Sequence, residues 1–314
     1  MRHLNVFRHF KRILCRMRPH SVFELLLLSF FWGSSFLLIQ IGVAEFGPAP
    51  LIFLRTMLAG LMILLVLIFR REVWMLLKHW KNFIPLGLLD SSLPYMLSAY
   101  AALHIPSGTI SVINAVTPLW GALVAWLWLG IRLTISGAIG LLIGLVGIIF
   151  LVWDRFELAL SDSTLALAAA IFGPVCYALS ACYARKYLSS FSPFVNATGS
   201  SLTSGVLLMP LAWYWWPTEP ISATAWSAAL VLAVLCSAVA YVLYYRLIQH
   251  IGPARAMTVS YLVPVVGLFW GWTLMDEHFS LRTLFGVLLI FTGLALANGL
   301  LRRRAPMLKQ SDSD

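Results

Sequence analysis

Two ionisable side chains of this chain lie inside long apolar stretches, where a charge needs a chemical reason. Arg55 and Asp90 are each about two helical turns from the nearer end of their stretches, which cover residues 49–69 and 83–103. A charged side chain near the centre of a membrane helix is unfavourable by roughly 2.5–3.5 kcal/mol on insertion scales. The position of Arg55 therefore indicates that it recognises an anionic group, such as a carboxylate. The position of Asp90 indicates that its carboxylate carries a proton or pairs with an ammonium group of the substrate.

Both charges also have structural explanations at the level of sequence. Arg55 could snorkel to the nearer membrane surface. Asp90 could be a structural hydrogen-bond acceptor or a helix-start residue, since Pro85 could mark an earlier start of its helix. At a rise of 1.5 Å per residue the two side chains differ in depth by on the order of 10 Å, so a direct ion pair between them is not favoured.

Small and polar residues follow one face of the stretch 107–129 at helical spacing, and the stretch 255–275 repeats the pattern. The first set is Ser107, Ser111, Asn114, Pro118, Gly121 and Ala125, and the second is Pro253, Met257, Ser260, Pro264, Gly267 and Gly271. The glycines favour close helix packing. We expect Asn114 and Ser260 to hydrogen-bond a substrate. Pro118 and Pro264 either kink their helices beside the site or are kinks alone.

Four aromatic side chains also lie deep in apolar stretches, namely Trp32, Tyr95, Tyr177 and Tyr241. They could stack on a bound substrate, or they could pack within the core.

The composition indicates that the elements carrying these residues lie in lipid. Of 314 residues, 61% are hydrophobic and 11% are charged, and the mean hydropathy is +0.88. Soluble domains have about 45–50% apolar and about 25% charged residues, so a cytosolic enzyme and a disulfide-stapled secreted domain are excluded. A window of about 20 residues, the length that crosses about 30 Å of hydrocarbon, predicts ten spanning helices. They cover 24–43, 49–69, 83–103, 107–129, 133–153, 164–184, 194–215, 226–248, 255–275 and 281–301.

The basic residues predict the orientation of these helices. With both termini cytoplasmic, 19 of the 22 Lys and Arg fall on the inner side, as the positive-inside rule requires. The net charge of +10 therefore reflects membrane orientation, and we expect no nucleic-acid partner.

An internal repeat relates the two halves of the chain. An offset of 146 places Pro118 on Pro264 and Gly147 on Gly293, and three consecutive helices of each half align. Because each half has five spans, the second half must enter the membrane inverted, an architecture typical of secondary transporters. The predicted organisation is a basic cytoplasmic segment (1–21), a first five-helix repeat (22–153), an external linker (154–163), a second repeat (164–301) and a cytoplasmic tail (302–314).

Three motifs resemble the EamA-type permeases of the drug/metabolite transporter superfamily. They are Trp32-Gly33-Ser34-Ser35-Phe36, the loop His104-Ile105-Pro106 before the helix of Pro118, and Pro264…Asp276-Glu277-His278-Phe279-Ser280…Gly286…Gly293. The resemblance covers nearly the whole chain and implies a ten-helix carrier, often an exporter of amino acids or related metabolites. The first half departs from the family at Gly130-Ile131-Arg132, where the family usually has an acidic residue, so a symmetric role for that residue is not expected.

Together these features predict an all-α integral membrane protein of the plasma (bacterial inner) membrane that transports small metabolites by alternating access. The alternatives are a carrier of sugars, nucleotide sugars or drugs, a non-transporting membrane protein, or a membrane enzyme. The sequence has no phosphate-loop, HExxH or GxSxG motif, so we expect no catalytic residue, cofactor or metal site. The expected partners are a small-molecule substrate, the lipid bilayer and protons as coupling ion.

Overall fold

The computed structural model describes residues 19–130, 135–156, 162–251, 259–276 and 280–297, and these residues form helices without a β-strand. The predicted all-helical class is confirmed. In chain order the long helices are α1 (Pro19–Phe46), α2 (Pro48–Phe69), α3 (83–102), α4 (Ser107–Leu129), α5 (Ile135–Phe156), α6 (Asp162–Tyr187), α7 (Pro193–Tyr214), α8 (223–251), α9 (Val259–Leu274) and α10 (Leu281–Ala297). A short helix, Val73–Lys78, and a 3₁₀ turn, Trp80–Asn82, lie between α2 and α3.

Five stretches within the described ranges are long and apolar enough to cross a membrane. They are Pro19–Phe46, Pro48–Phe69, Ser107–Leu129, Thr164–Tyr187 and Ala223–Tyr244. Large apolar side chains also cover the outside of the bundle, with Phe69 87% exposed and Leu281 86% exposed. An apolar outer surface of this kind is stable in lipid rather than in water, and the chain is therefore an integral membrane protein.

Sharp turns between helices follow from local chemistry. Gly47 has φ +71°, a left-handed conformation that glycine adopts without strain, and Pro48 follows as the first residue of α2, where its missing N–H has no helical partner to lose. In α4 the helix is interrupted after Asn114 and restarts at Thr117. Pro118 lies in the first turn of the second segment. The break in α4 therefore avoids the clash that a proline inside a continuous helix makes with the carbonyl group four residues before it.

One π turn interrupts α3 at Leu88–Ser92, and another interrupts α8 at Val234–Val239. The two turns start 146 residues apart, which is the offset of the internal repeat. A π turn has one residue more than an α turn, and such turns are frequent at functional sites. Asp90 lies in the first turn, and Cys236 takes its place in the second.

The bundle is built from closely packed helix pairs: α2 on α7, α3 on α6, α5 on α10, and α1 on both α8 and α9. At the α1–α9 crossing, a Cβ atom added to Gly33 would lie 2.5 Å from Cβ of Val266. Gly267 of α9 is equally tight against Ser111 of α4. Gly33 and Gly267 thus serve close helix packing, as the sequence predicted for the glycines. At Gly121 of α4 the prediction is wrong, because a Cβ atom added there would have no neighbour within 4 Å among the described residues.

Candidate functional site

A cavity of about 340 Å³ lies inside the bundle, and the helices that line it are α1, α2, α3, α4, α6, α8 and α9. Its lining residues come from seven helices. They are Trp32, Ser35, Phe36, Ile39, Arg55, Asp90, Tyr95, Ser98, Asn114, Ala115, Thr117, Tyr177, Tyr241, Tyr244 and Val263.

Seven of the ten residues predicted for the site line this cavity: Trp32, Arg55, Asp90, Tyr95, Asn114, Tyr177 and Tyr241. Pro118 and Pro264 do not line it, but each follows a lining residue, Thr117 and Val263, in the chain. The side chain of Ser260 lies outside the described part of the structure. The residues singled out on sequence grounds are therefore mostly brought to one place.

The Arg55 side chain is buried within the bundle, with 3% of its surface exposed. Its Nε donates a hydrogen bond of 3.0 Å to Oγ of Ser237, and its Cζ lies 3.9 Å from the ring centroid of Tyr95. A snorkelling arginine would instead place its guanidinium at the surface. Among the described residues, Ser237 is the one hydrogen-bond partner of this side chain, so the two terminal amino groups are available to a ligand.

Asp90 is held by serines from two other helices. Its Oδ1 accepts a hydrogen bond of 2.9 Å from Ser180 of α6, and its Oδ2 accepts one of 3.0 Å from Ser200 of α7. Ser91 lies 2.9 Å from Ser200 and must donate to it, because Ser200 uses its own proton on Asp90. Helix α3 begins at Phe83, so the interpretation of Asp90 as a helix-start residue is wrong. Its role as a hydrogen-bond acceptor is present in the structure, and the residue also lines the cavity.

Arg55 and Asp90 line the same cavity but do not form an ion pair, since no nitrogen of one lies within 4.0 Å of an oxygen of the other. Each is held by uncharged partners instead. The cavity is therefore lined by one basic and one acidic side chain that do not form an ion pair with each other. A ligand with both an anionic and a cationic end is the chemical complement of that arrangement.

Two pairs of aromatic rings also line the cavity. Tyr95 and Tyr177 meet edge to face with their ring centroids 6.2 Å apart, and Trp32 and Tyr244 lie 5.3 Å apart across the α1–α8 contact. Such walls bury the apolar part of a ligand, and their ring faces attract cations.

Sequence reasoning missed several lining residues that a helical period would have found. Ser35 follows Trp32 by three residues, and Tyr244 follows Tyr241 by three, so each lies on the same helix face as a residue that was predicted. Ser180 and Ser200 gave no comparable signal, because their role depends on how α6 and α7 pack against α3. Within the described ranges, no group of three or more His, Cys, Asp or Glu side chains is placed to bind a metal ion.

Comparisons with known proteins agree with this architecture. The EamA-like transporter family model matches the chain twice, at residues 21–153 and 164–299. The chain is 26% identical to the uncharacterized transporter YvbV of Bacillus subtilis over 87% of this chain and 90% of the relative. It is 28% identical to the uncharacterized inner membrane transporter YedA of Escherichia coli K12, covering 79% and 81% of the two chains.

A solved crystal structure superposes on this chain with a TM-score of 0.66 at 20% identity, covering 92% of this chain and 100% of the other. This similarity concerns the fold alone. The two family matches together span most of the sequence, and the protein belongs to the EamA-like transporter family of the drug/metabolite transporter type.

Proposed function

We propose that this transporter carries small zwitterionic metabolites, such as amino acids or related compounds, out of the cell by alternating access. The observation that carries the proposal is the cavity in which Arg55 and Asp90 face one space without pairing with each other. Arg55 binds the carboxylate end of the substrate through its terminal amino groups. Asp90 binds the ammonium end, or carries the coupling proton.

The size of the cavity supports a small substrate. Binding cavities for small molecules have volumes of about 300–1,000 Å³, and the 340 Å³ here lies at the lower end of that range. This volume suits an amino acid better than a nucleotide sugar, which is several times larger than an amino acid. Asn114 and the tyrosine hydroxyls supply further polar contacts for such a substrate.

The proposed architecture has ten spanning helices, arranged as two inverted five-helix repeats over residues 22–153 and 164–301. Two observations support it: the family model matches once in each half, and the π turns of α3 and α8 are related by the repeat offset. Inverted repeats of this kind place the substrate site near the midplane of the membrane.

We propose that the transporter lies in the bacterial inner membrane with both termini in the cytoplasm and with segment 154–163 outside. Single cysteines at positions 161 and 310, introduced in place of Ser161 and Gln310 in a cysteine-free background, test this orientation. An impermeant thiol reagent added to intact cells should label position 161 alone. Labelling of position 310 would refute the topology.

The substrate class is tested with purified protein in liposomes. Uptake and efflux of a panel of radiolabelled amino acids, sugars and nucleotide sugars are measured with and without a pH gradient. We expect saturable transport of one or more amino acids and a faster net flux when the gradient is present. Transport of sugars or nucleotide sugars without amino-acid transport would overturn the zwitterion proposal.

A further inference from the structure

A second buried carboxylate lies outside the cavity, near the start of α1. The side chain of Glu24 is 3% exposed, and its Oε1 lies 2.9 Å from Nη2 of Arg246 in α8 and 3.1 Å from Nε2 of His20. These are ion-pair distances, although the groups are not aligned as hydrogen bonds, and Oε2 meets no donor among the described residues. A buried carboxylate with so few partners depends on the cation of Arg246.

This ion pair lies outside the cavity and nearer than the cavity to the end of the bundle where α1 begins. The rings of Trp32 and Tyr244, which both line the cavity, contact each other between α1 and α8 with their centroids 5.3 Å apart. Glu24 lies eight residues before Trp32, about 12 Å further along the helix axis. Arg246 follows Tyr244 by two residues on the facing helix. The aromatic pair and the ion pair are thus two separate contacts between α1 and α8, and the ion pair is the one nearer the start of α1.

The internal repeat offers no second copy of this ion pair. The offset of 146 places Arg246 on Tyr100. Helix α1 aligns more loosely with α6 at an offset of 140, where Gly33 meets Gly173, and this offset places Glu24 on Thr164. Tyrosine and threonine cannot form an ion pair. A scaffold with two related ends therefore has this charge pair at one end only.

We propose that Glu24 and Arg246 form a latch that holds the transport pathway closed at the end where α1 begins, which faces the cytoplasm in the proposed topology. The latch stabilises the inward-closed state relative to the inward-open state, in which this α1–α8 contact separates. Because it lies away from the cavity, it acts on the conformational equilibrium and not on substrate binding.

A cysteine reporter in the cavity tests the latch without any substrate, so the result does not depend on the proposed substrate class. Ser98→Cys is introduced in a background that lacks the native cysteines, and its labelling rate with an impermeant maleimide is measured in inside-out and right-side-out vesicles. In Glu24→Gln we expect labelling from the inner face to rise at least about fivefold, the lower end of typical coupling between sites. Labelling from the outer face should fall.

Two further variants keep the test decisive. Arg246→Gln removes the same ion pair by changing its other member. Because the Arg246 side chain is 48% exposed, this variant tests the latch even if Glu24→Gln inserts poorly. Glu45→Gln is the matched control, because Glu45 joins the opposite end of α1 to Ser222, the residue that caps the start of α8. This variant should not raise labelling from the inner face. Unchanged inner-face labelling in both latch variants, or an equal rise in Glu45→Gln, would overturn the proposal.

Discussion

Replacing Arg55 by lysine separates the charge of this side chain from its geometry. Lysine keeps the positive charge but has no Nε donor for Ser237 and no planar pair of terminal amino groups for a carboxylate. We expect Arg55→Lys to fold and insert normally, since a cation still faces the ring of Tyr95. Its defect should appear in the apparent affinity for substrate.

The size of the defect follows from the contacts that are lost. A hydrogen bond to a charged group is worth about 1.5–3 kcal/mol. Because about 1.4 kcal/mol corresponds to a tenfold change in an equilibrium constant, the loss of one such bond to the substrate should raise KM by about 10- to 100-fold. Arg55→Gln removes the charge as well, and we expect it to abolish saturable transport in the same concentration range.

The assay is counterflow of a labelled amino acid in liposomes at equal protein incorporation, with thermal unfolding of each variant as the test of folding. Ser237→Ala is the matched control, because it removes the partner of Nε and leaves the guanidinium in place. It should raise KM by less than Arg55→Lys does. Transport by Arg55→Gln with the KM of the unmodified protein would refute the role of Arg55 in binding.

Three further predictions concern other parts of the bundle. Asp90→Asn should abolish net flux driven by a pH gradient while sparing substrate exchange, and superimposable pH–flux curves for the variant and the unmodified protein would remove Asp90 from the mechanism. Gly33→Ala should lower the free energy of unfolding by about 1–3 kcal/mol, because its new Cβ would lie 2.5 Å from Val266, and an unchanged thermal midpoint would contradict this. Hydrogen bonds from Oγ and N of Ser222 hold the pKa of Glu45, in the exposed last turn of α1, below its ordinary value. The stabilisation is therefore present at neutral pH and is lost as pH falls through that lowered pKa; Glu45→Gln should flatten this part of the acid-unfolding curve, and an identical curve would contradict the assignment.

The two ionisable residues of the candidate site, Arg55 and Asp90, could be found from the sequence because placing a charged side chain inside a membrane helix is energetically unfavourable. Arg55 and Asp90 stood out for that reason alone, and the difference in their depth agrees with the absence of an ion pair between them. The α4 break near Pro118 was likewise indicated by the chemistry of proline. These features depend on one residue and its immediate neighbours in the chain.

The partners of these residues could not be predicted in the same way. Ser180 and Ser200 are ordinary small residues of transmembrane helices until α6 and α7 pack against the π turn of α3. Glu24 lies at the edge of its apolar stretch, where a carboxylate is expected to meet water. It is buried because α8 returns along α1 and brings Arg246 over it.

The hydrogen bonds of the site connect the two halves of the chain. Arg55 and Asp90 belong to the first half, whereas their partners Ser237, Ser180 and Ser200 belong to the second. A motion that separated these first-half helices from their second-half partners would therefore break the hydrogen bonds of both side chains. A zwitterion can replace both sets of serine contacts with its own carboxylate and ammonium groups, whereas a ligand with a single charge can replace only one set. We therefore expect the conformational change to be fastest with substrates that have both charges, because they compensate both buried groups while the halves separate.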